Sequence, residues 1–224
     1  MKGLNQFVVA ATASLLLAAP AFAVGPSITF AQFTQQSSDK IVSYGVSGGS
    51  NTLTIAPSPS FMVVTDFGPA GIYNASVSMS ASSSAPVINT GPQFEQAGWN
   101  GSISFSNGGN LLTAQFMNAV FNYDDTGGSA SLIATDPFDT INYSSDFLNL
   151  PAFNLRDFSL SFTGITPPFS VGMNGLGAPF AANIAGSFAG SAVPEPSTWA
   201  MLVLGFGLVG WSARRRTGMA ALSA

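Results

Sequence analysis

The sequence contains no cysteine and no histidine among its 224 residues. The missing cysteines exclude disulfide bonds and thiol nucleophiles. The missing histidines exclude Ser-His-Asp triads, and the two absences together exclude metal sites that depend on imidazole or thiolate ligands. A chain without such cross-links is held by its core alone, which favours an extensive hydrogen-bonded sheet.

Charged side chains are also scarce, at 7% of the residues. Between residues 24 and 192, Lys40 and Arg156 face nine acidic side chains, so this part of the chain has a net charge of −7. Nucleic-acid binding needs clustered lysine and arginine, and the composition therefore excludes nucleic acid as a partner. On the solvent face of the predicted strands, Ser, Thr and Asn stand where Lys and Glu are usual. Their neutral hydroxyl and amide groups can hydrogen-bond sugars.

Alternating apolar and polar residues dominate the middle of the chain. A period of two is typical of strands with one buried and one wet face. The turn composition at 107–110 predicts a hairpin, and we interpret 111–120 as a strand because Thr113 and Asn118 weaken the helical alternative. The β-like runs are 28–30, 41–44, 53–55, 61–64, 75–81, 102–106 and 158–162, with a last strand at 182–189.

The spacing of these runs and turns predicts an all-β fold. Specifically, we expect an antiparallel β-sandwich or jelly-roll body of about eight to ten strands. The body covers 24–165, and a last strand followed by a linker, rich in Gly, Pro and Ala, covers 166–193.

The N-terminal segment 1–23 has the features of a secretory signal peptide. Lys2 precedes an apolar stretch, and Ala21 and Ala23 form a small-x-small cleavage site. This pattern predicts export through the Sec translocon with cleavage after Ala23.

The C-terminal segment begins with Pro194, Glu195 and Pro196, where each proline keeps the residue before it out of the helical region. An apolar stretch at 199–213 follows, and its fifteen residues reach about 22 Å as a helix, which is marginal for a bilayer of roughly 30 Å. The basic residues Arg214, Arg215 and Arg216 come next and predict a cytoplasmic C-terminal side, with residues 217–224 as a cytoplasmic tail.

The order Pro-Glu-Pro, then Trp199-Ala200, an apolar helix and an arginine cluster resembles the C-terminal sorting signal of PEP-CTERM proteins, in the PEPxxWA subtype. The resemblance covers 194–216. It implies a Gram-negative exported protein whose tail is recognised by an inner-membrane exosortase, with Pro194, Glu195 and Pro196 as the recognition motif. It also implies association with exopolysaccharide and biofilm, and it carries no activity for the body.

Candidate sites in the body are few. Loop aspartates offer the oxygen ligands that calcium takes, and the candidates are Asp124, Asp125, Asp136 and Asp139. The alternative for these residues is turn and cap chemistry. Glu95 paired with an aspartate would be needed for a glycosidase. Trp99 is either a sugar-stacking residue or a cap on the core.

We therefore expect a non-enzymatic, structural or adhesive protein of the cell surface or extracellular matrix, without a cofactor and with exopolysaccharide as a potential partner. A calcium-dependent carbohydrate-binding module is the first alternative. A secreted glycosidase is the second.

Overall fold

A computed structural model describes residues 27–65, 71–91, 93–124, 126, 128–148, 150, 153–172, 174–192 and 203–208. Side chains at 59–65, 154 and 192 are not described. The predicted signal peptide, with Ala21 and Ala23, lies outside these residues. So do the motif residues Pro194, Glu195, Pro196, Trp199 and Ala200, and the cluster Arg214, Arg215 and Arg216.

The fold is all-β, as the alternation predicts. The strands are β1 Ser27–Gln35, β2 Val42–Ser47, β3 Ser50–Thr65, β4 Gly71–Ser83, β5 Ile88–Asn89, β6 Gln93–Ser106, β7 Asn110–Asp124, β8 Ser129–Thr135, β9 Thr140–Ser144, β10 Phe153–Thr166 and β11 Phe180–Ala192. The segment 111–120 lies in β7, which confirms the strand interpretation. The last strand is longer than the predicted 182–189.

The strands form one antiparallel sheet that closes on itself. The path β6-β4-β3-β1-β11-β10-β8-β7 returns to its start because β7 also pairs with β6. The result is a closed eight-stranded barrel. The predicted division into the two packed sheets of a sandwich or jelly-roll is not confirmed, because a continuous hydrogen-bonded ladder joins neighbours around the ring and leaves no gap between two sheets.

Two positions in the barrel are each shared by two collinear strands. β1 pairs with β3 at 61–65 and β2 pairs with it at 50–55. In the same way, β8 pairs with β7 at 120–123 and β9 pairs with it at 113–117. The short connections 36–41 and 136–139 therefore interrupt a strand position instead of reversing the chain.

The interior is filled by aromatic rings from opposite sides of the ring. Phe33, Phe105 and Phe188 pack with centroid separations of 4.7 to 5.9 Å. Trp99 is fully buried and lies 5.6 Å from Phe121 between ring centroids. Close packing of this kind leaves the barrel core filled with side chains.

The β10–β11 connection, residues 167–179, packs against buried aromatic rings. Phe169 stacks on Tyr123 with a centroid separation of 3.5 Å and meets Phe180 edge to face. Gly177 is required here, because a Cβ at that position would lie 2.4 Å from the Tyr44 hydroxyl and 2.7 Å from the Phe169 ring. We call the end of the barrel that carries this connection the distal end. The opposite end, where β1 begins and β11 stops, is called the terminal end.

Candidate functional site

The outer face of the barrel carries polar side chains in register across several strands. Cross-strand pairing places six of them in one line from β2 to β9, which we call the polar row: Ser43, Thr54, Ser80, Ser102, Gln115 and Asn142. All six point outward because their chain neighbours on both sides belong to the inward phase of the strand. None is charged. Strands about 4.8 Å apart make the row about 24 Å long.

A second line of hydroxyl groups runs beside the polar row. Register pairs align Ser78, Ser104, Thr113 and Ser144. The Thr113 hydroxyl donates to Asn110 Oδ1 at 2.9 Å and accepts from the Ser104 hydroxyl at 3.0 Å. These bonds hold hydroxyl groups in place on the surface.

Two shallow grooves follow these lines. One, of about 320 Å³, lies across β6, β7 and β9 and includes Ser102, Gln115 and Asn142. The other, of about 540 Å³, lies across β4, β6 and β7 and includes Ser78, Ser104 and Thr113. Both are lined by neutral donors and acceptors, which suits hydrogen bonding to hydroxyl-rich ligands and offers no charge to bind an ionic one.

A separate polar network is buried inside the barrel. Tyr123 Oη donates to Tyr44 Oη at 2.6 Å, and Tyr44 Oη donates to Gln96 Oε1 at 3.0 Å. Gln96 Nε2 donates to Asn51 Oδ1 at 3.0 Å, and Asn51 exchanges two hydrogen bonds with the backbone of Gly177. Because these groups find partners, the network is stable inside the core and ties 167–179 to β3.

Burial raises the pKa of the three tyrosines in or near the core. For Tyr123 the nearby Tyr44 raises the pKa further, whereas the hydrogen bond from Tyr123 opposes the rise at Tyr44. Burial also raises the pKa of Tyr143, whose hydroxyl donates to the Asp157 carbonyl at 2.6 Å. All three phenols are therefore neutral at physiological pH and act as hydrogen-bonding groups.

The burial of Trp99 decides between its two predicted roles, sugar stacking and core packing. Trp99 lies on β6 with none of its surface exposed, and Tyr44 and Tyr123 are equally buried. A sugar-stacking role is wrong for Trp99, because a ring that stacks on a sugar must be exposed. The alternative that Trp99 belongs to the core is confirmed.

The candidate calcium ligands are divided between the two ends of β8. Asp124 precedes this strand, and Asp136 and Asp139 follow it. Seven residues of strand separate the two groups by about 20 Å. Asp125 lies outside the described residues. Among the residues that the structure describes, no group of three or more acidic side chains is close enough to hold a metal ion.

Each described candidate also has a local partner. Asp124 accepts hydrogen bonds from the Thr126 amide at 3.1 Å and from Ser129 Oγ at 3.3 Å. Asp139 accepts from the Thr135 amide at 2.8 Å. This is the turn chemistry that the sequence left open as the alternative to calcium.

Asp136 joins the loop 136–139 to β10. Its carboxylate accepts from the Arg156 amide at 3.0 Å, and the Arg156 guanidinium donates to the Ile141 carbonyl at 3.3 Å. Partial burial raises the pKa of the Asp136 carboxyl, and the hydrogen bond and positive charge of Arg156 oppose that rise. These contacts pin β9 to β10 where the two strands share no ladder.

Glu95 lies on β6 opposite Asn122, and Asp124 lies on β7 opposite Gln93. The two acidic residues are therefore diagonal neighbours on one face of the sheet. The Asp124 carboxylate is already engaged by Thr126 and Ser129.

Sequence reasoning missed the buried amides Asn51 and Gln96. Asn51 stands in the inward phase of β3 with Leu53 and Ile55. The sequence did contain a signal for Asn51, because this polar residue alternates in step with the apolar residues that face the core. Gln96 gave no such signal, because irregular pairing between Gln96 and Trp99 shifts the inward phase of β6.

The structure describes little of the C-terminal segment. A helix at 203–208 falls inside the predicted span 199–213, and the rest of that span lies outside the described residues. Within the described part of the chain, no helix has the length and hydrophobicity needed to cross a bilayer.

Comparison with known proteins identifies this segment. The family model for the PEP-CTERM protein-sorting motif matches residues 192–216. The search of curated proteins gave no match, and neither did the search of solved structures. The match begins at the last residue of β11 and covers the Pro-Glu-Pro sequence, the apolar stretch and the arginine cluster. The chain therefore carries a PEP-CTERM sorting motif, which marks it as an exported protein that exosortase sorts through a membrane-anchored intermediate.

Proposed function

We propose that the barrel is a non-catalytic, structural protein of the bacterial cell surface or extracellular matrix that binds neutral polysaccharide through its outer face. The observation that carries the proposal is the polar row, an uncharged line of hydroxyl and amide groups across six strands. Exopolysaccharide is the natural ligand class, since the protein is exported and sorted.

The chemistry of the outer face favours neutral over acidic glycans. Polysaccharide hydroxyl groups both donate and accept hydrogen bonds, as do the Ser, Thr, Gln and Asn side chains of the grooves. The body carries a charge of −7 and repels polyanions. Each hydrogen bond made in water contributes little free energy, so useful affinity requires many bonds along one glycan chain.

The tail accounts for delivery in this proposal. Exosortase recognises Pro194, Glu195 and Pro196, with Trp199 and Ala200 completing the PEPxxWA subtype. The segment 199–213 holds the precursor in the inner membrane, and Arg214, Arg215 and Arg216 remain cytoplasmic. The signal peptide 1–23 starts export.

Retention on polysaccharide columns tests the role of the body. We expect delayed elution of the protein from immobilised dextran, a neutral glucan, and no delay on alginate, a polyanion. The variant Ser80→Ala/Ser102→Ala/Gln115→Ala should lose most of the delay. Its matched control, Ser159→Ala/Ser161→Ala/Thr163→Ala, removes polar groups from β10 on another part of the barrel and should retain it. Equal retention of both variants, or no retention of the parent protein, would contradict the proposal.

Mass spectrometry of the protein from its host tests delivery. A mature chain that begins near Val24 and ends near 194–196 supports removal of both terminal segments. A chain that keeps 199–224 in the membrane fraction would show that the tail is a lasting anchor.

A further inference from the structure

The first and last strands of the barrel are direct neighbours. Ser27 on β1 pairs with Ser191 on β11, and Ala192 pairs with Phe153, the first residue of β10. The last strand is therefore held on both sides up to the residue at which the sorting motif begins. The terminal end of the barrel is the place from which the tail emerges.

The tail leaves little distance between the barrel and the apolar segment. Six residues lie between Ala192 and Trp199, the first residue of the apolar stretch, so seven residue steps connect the two. A fully extended chain of this length spans at most about 25 Å. The terminal end cannot lie farther than this from the membrane interface while the apolar stretch is inserted.

The height of the barrel exceeds this reach. Twelve residue steps separate Phe180 from Ala192 on β11, which corresponds to about 40 Å along the strand. Strand tilt in a closed barrel reduces this to an axial height of about 30 Å. To bring the distal end to the bilayer, the chain after Ala192 would have to run back along this whole height, which its length does not allow.

We propose that, in the membrane-anchored precursor, the terminal end of the barrel faces the bilayer and the distal end faces away from it. The distal end carries the β2–β3 turn and the loop 167–179, so these are the segments displayed to the surroundings before processing. The inference rests on the proposed anchoring by the tail and deepens it by assigning an orientation to the body.

Charge does not produce this orientation. Asp146 caps the β6–β7 turn through the Asn110 amide, and Asp157 accepts from Ser27 Oγ, so both acidic groups lie at or near the terminal end. Carboxylates there are repelled by anionic lipid headgroups. The short covalent connection is therefore the cause, and its length is the variable to test.

Energy transfer in lipid nanodiscs tests the orientation. The protein has no cysteine, so single substitutions label one position each. Asn107→Cys places a donor dye on the exposed turn at the terminal end, and Ser47→Cys places it on an exposed site at the distal end. The full chain is reconstituted in nanodiscs whose lipid headgroups carry the acceptor, and co-elution with the nanodisc measures anchoring separately.

We expect both variants to co-elute with nanodiscs, with clearly greater transfer from position 107 than from position 47. Insertion of twenty Gly/Ser residues after Ala192 should keep co-elution and reduce the difference, because the longer chain no longer limits rotation of the barrel. Co-elution with equal transfer from both positions would overturn the orientation alone. Failure to co-elute would overturn the anchoring on which it rests.

Discussion

On β6, Ile103 and Phe105 point into the barrel, whereas Ser102, Ser104 and Ser106 point out of it. The inner set is buried against aromatic rings from opposite strands, and its packing is sensitive to a single methylene. The outer set presents hydroxyl groups on the surface of the barrel, where Ser102 belongs to the polar row and Ser104 to the second line of hydroxyl groups. The inward-facing side chains therefore stabilise the fold, and the outward-facing side chains are the ones to which we assign the proposed binding.

Alkaline pH should have the largest effect on stability, and it acts through the buried tyrosines. The unfolded chain ionises its tyrosines near pH 10, whereas the pKa of Tyr44, Tyr123 and Tyr143 is raised in the folded state. Stability is therefore complete below pH 10 and falls as the pH rises above it. Above pH 10, each of these tyrosines lowers the free energy of unfolding by about 1.4 kcal/mol per pH unit, and the three together lower it by about 4 kcal/mol per pH unit.

Urea unfolding at pH 9, 10 and 11 checks this expectation. Tyr143→Phe should reduce the slope of stability against pH by about a third. An unchanged free energy of unfolding between pH 10 and 11 would show that the phenols are not buried as described.

Truncation of Trp99 to alanine should cost about 3–5 kcal/mol, because it empties a large volume in the centre of the core. Trp99→Phe should cost less, since the indole Nε1 has no hydrogen-bond partner in the structure to lose. Gln115→Ala, a truncation of an exposed residue, is the control and should change stability by less than about 0.5 kcal/mol. Similar melting curves for Trp99→Ala and Gln115→Ala would contradict the distinction between the two faces.

A single added methyl group at Gly101 should cost about 1–3 kcal/mol. Its Cβ would lie 2.3 Å from the Ser80 carbonyl oxygen and 2.5 Å from Ala81 Cα, and both are backbone atoms that cannot rotate away. The neighbouring change Ser102→Ala should be nearly neutral. Chemical denaturation of both variants makes the comparison, and equal midpoints would mean that β4 and β6 are less closely apposed than the structure indicates.

Calcium should have the smallest effect. Asp124 and Asp139 already accept hydrogen bonds from backbone amides, and their positions at opposite ends of β8 prevent a shared site. Melting curves with EDTA and with millimolar calcium should coincide. A site filled at a hundred times its dissociation constant would instead raise stability by about 2.7 kcal/mol, which the same curves would detect.

Strand character was predictable because it is local. Alternation at 75–81, 102–106 and 158–162 places one face of each strand in the core, and the structure confirms that phase at Val77, Ile103 and Leu160. The hairpin at 107–110 was predictable from its turn residues, and Gly108 has a φ of 71° there. The sorting motif was predictable because its residues are contiguous in the sequence and are recognised as such.

Closure of the sheet was not predictable, because it depends on pairs distant in sequence. The pairing of Ser27 with Ser191 joins the first and last strands of the barrel, and no local pattern specifies it. The polar row has the same origin, since each member is an ordinary exposed residue until register aligns it with the next. The sequence by itself determined an all-β protein with few charged side chains, a net negative charge and a sorting tail. Tertiary structure decided that the sheet closes, that Asn51 and Gln96 are buried and satisfied, and that the tail leaves beside β1, because pairing register and burial depend on how the whole chain packs.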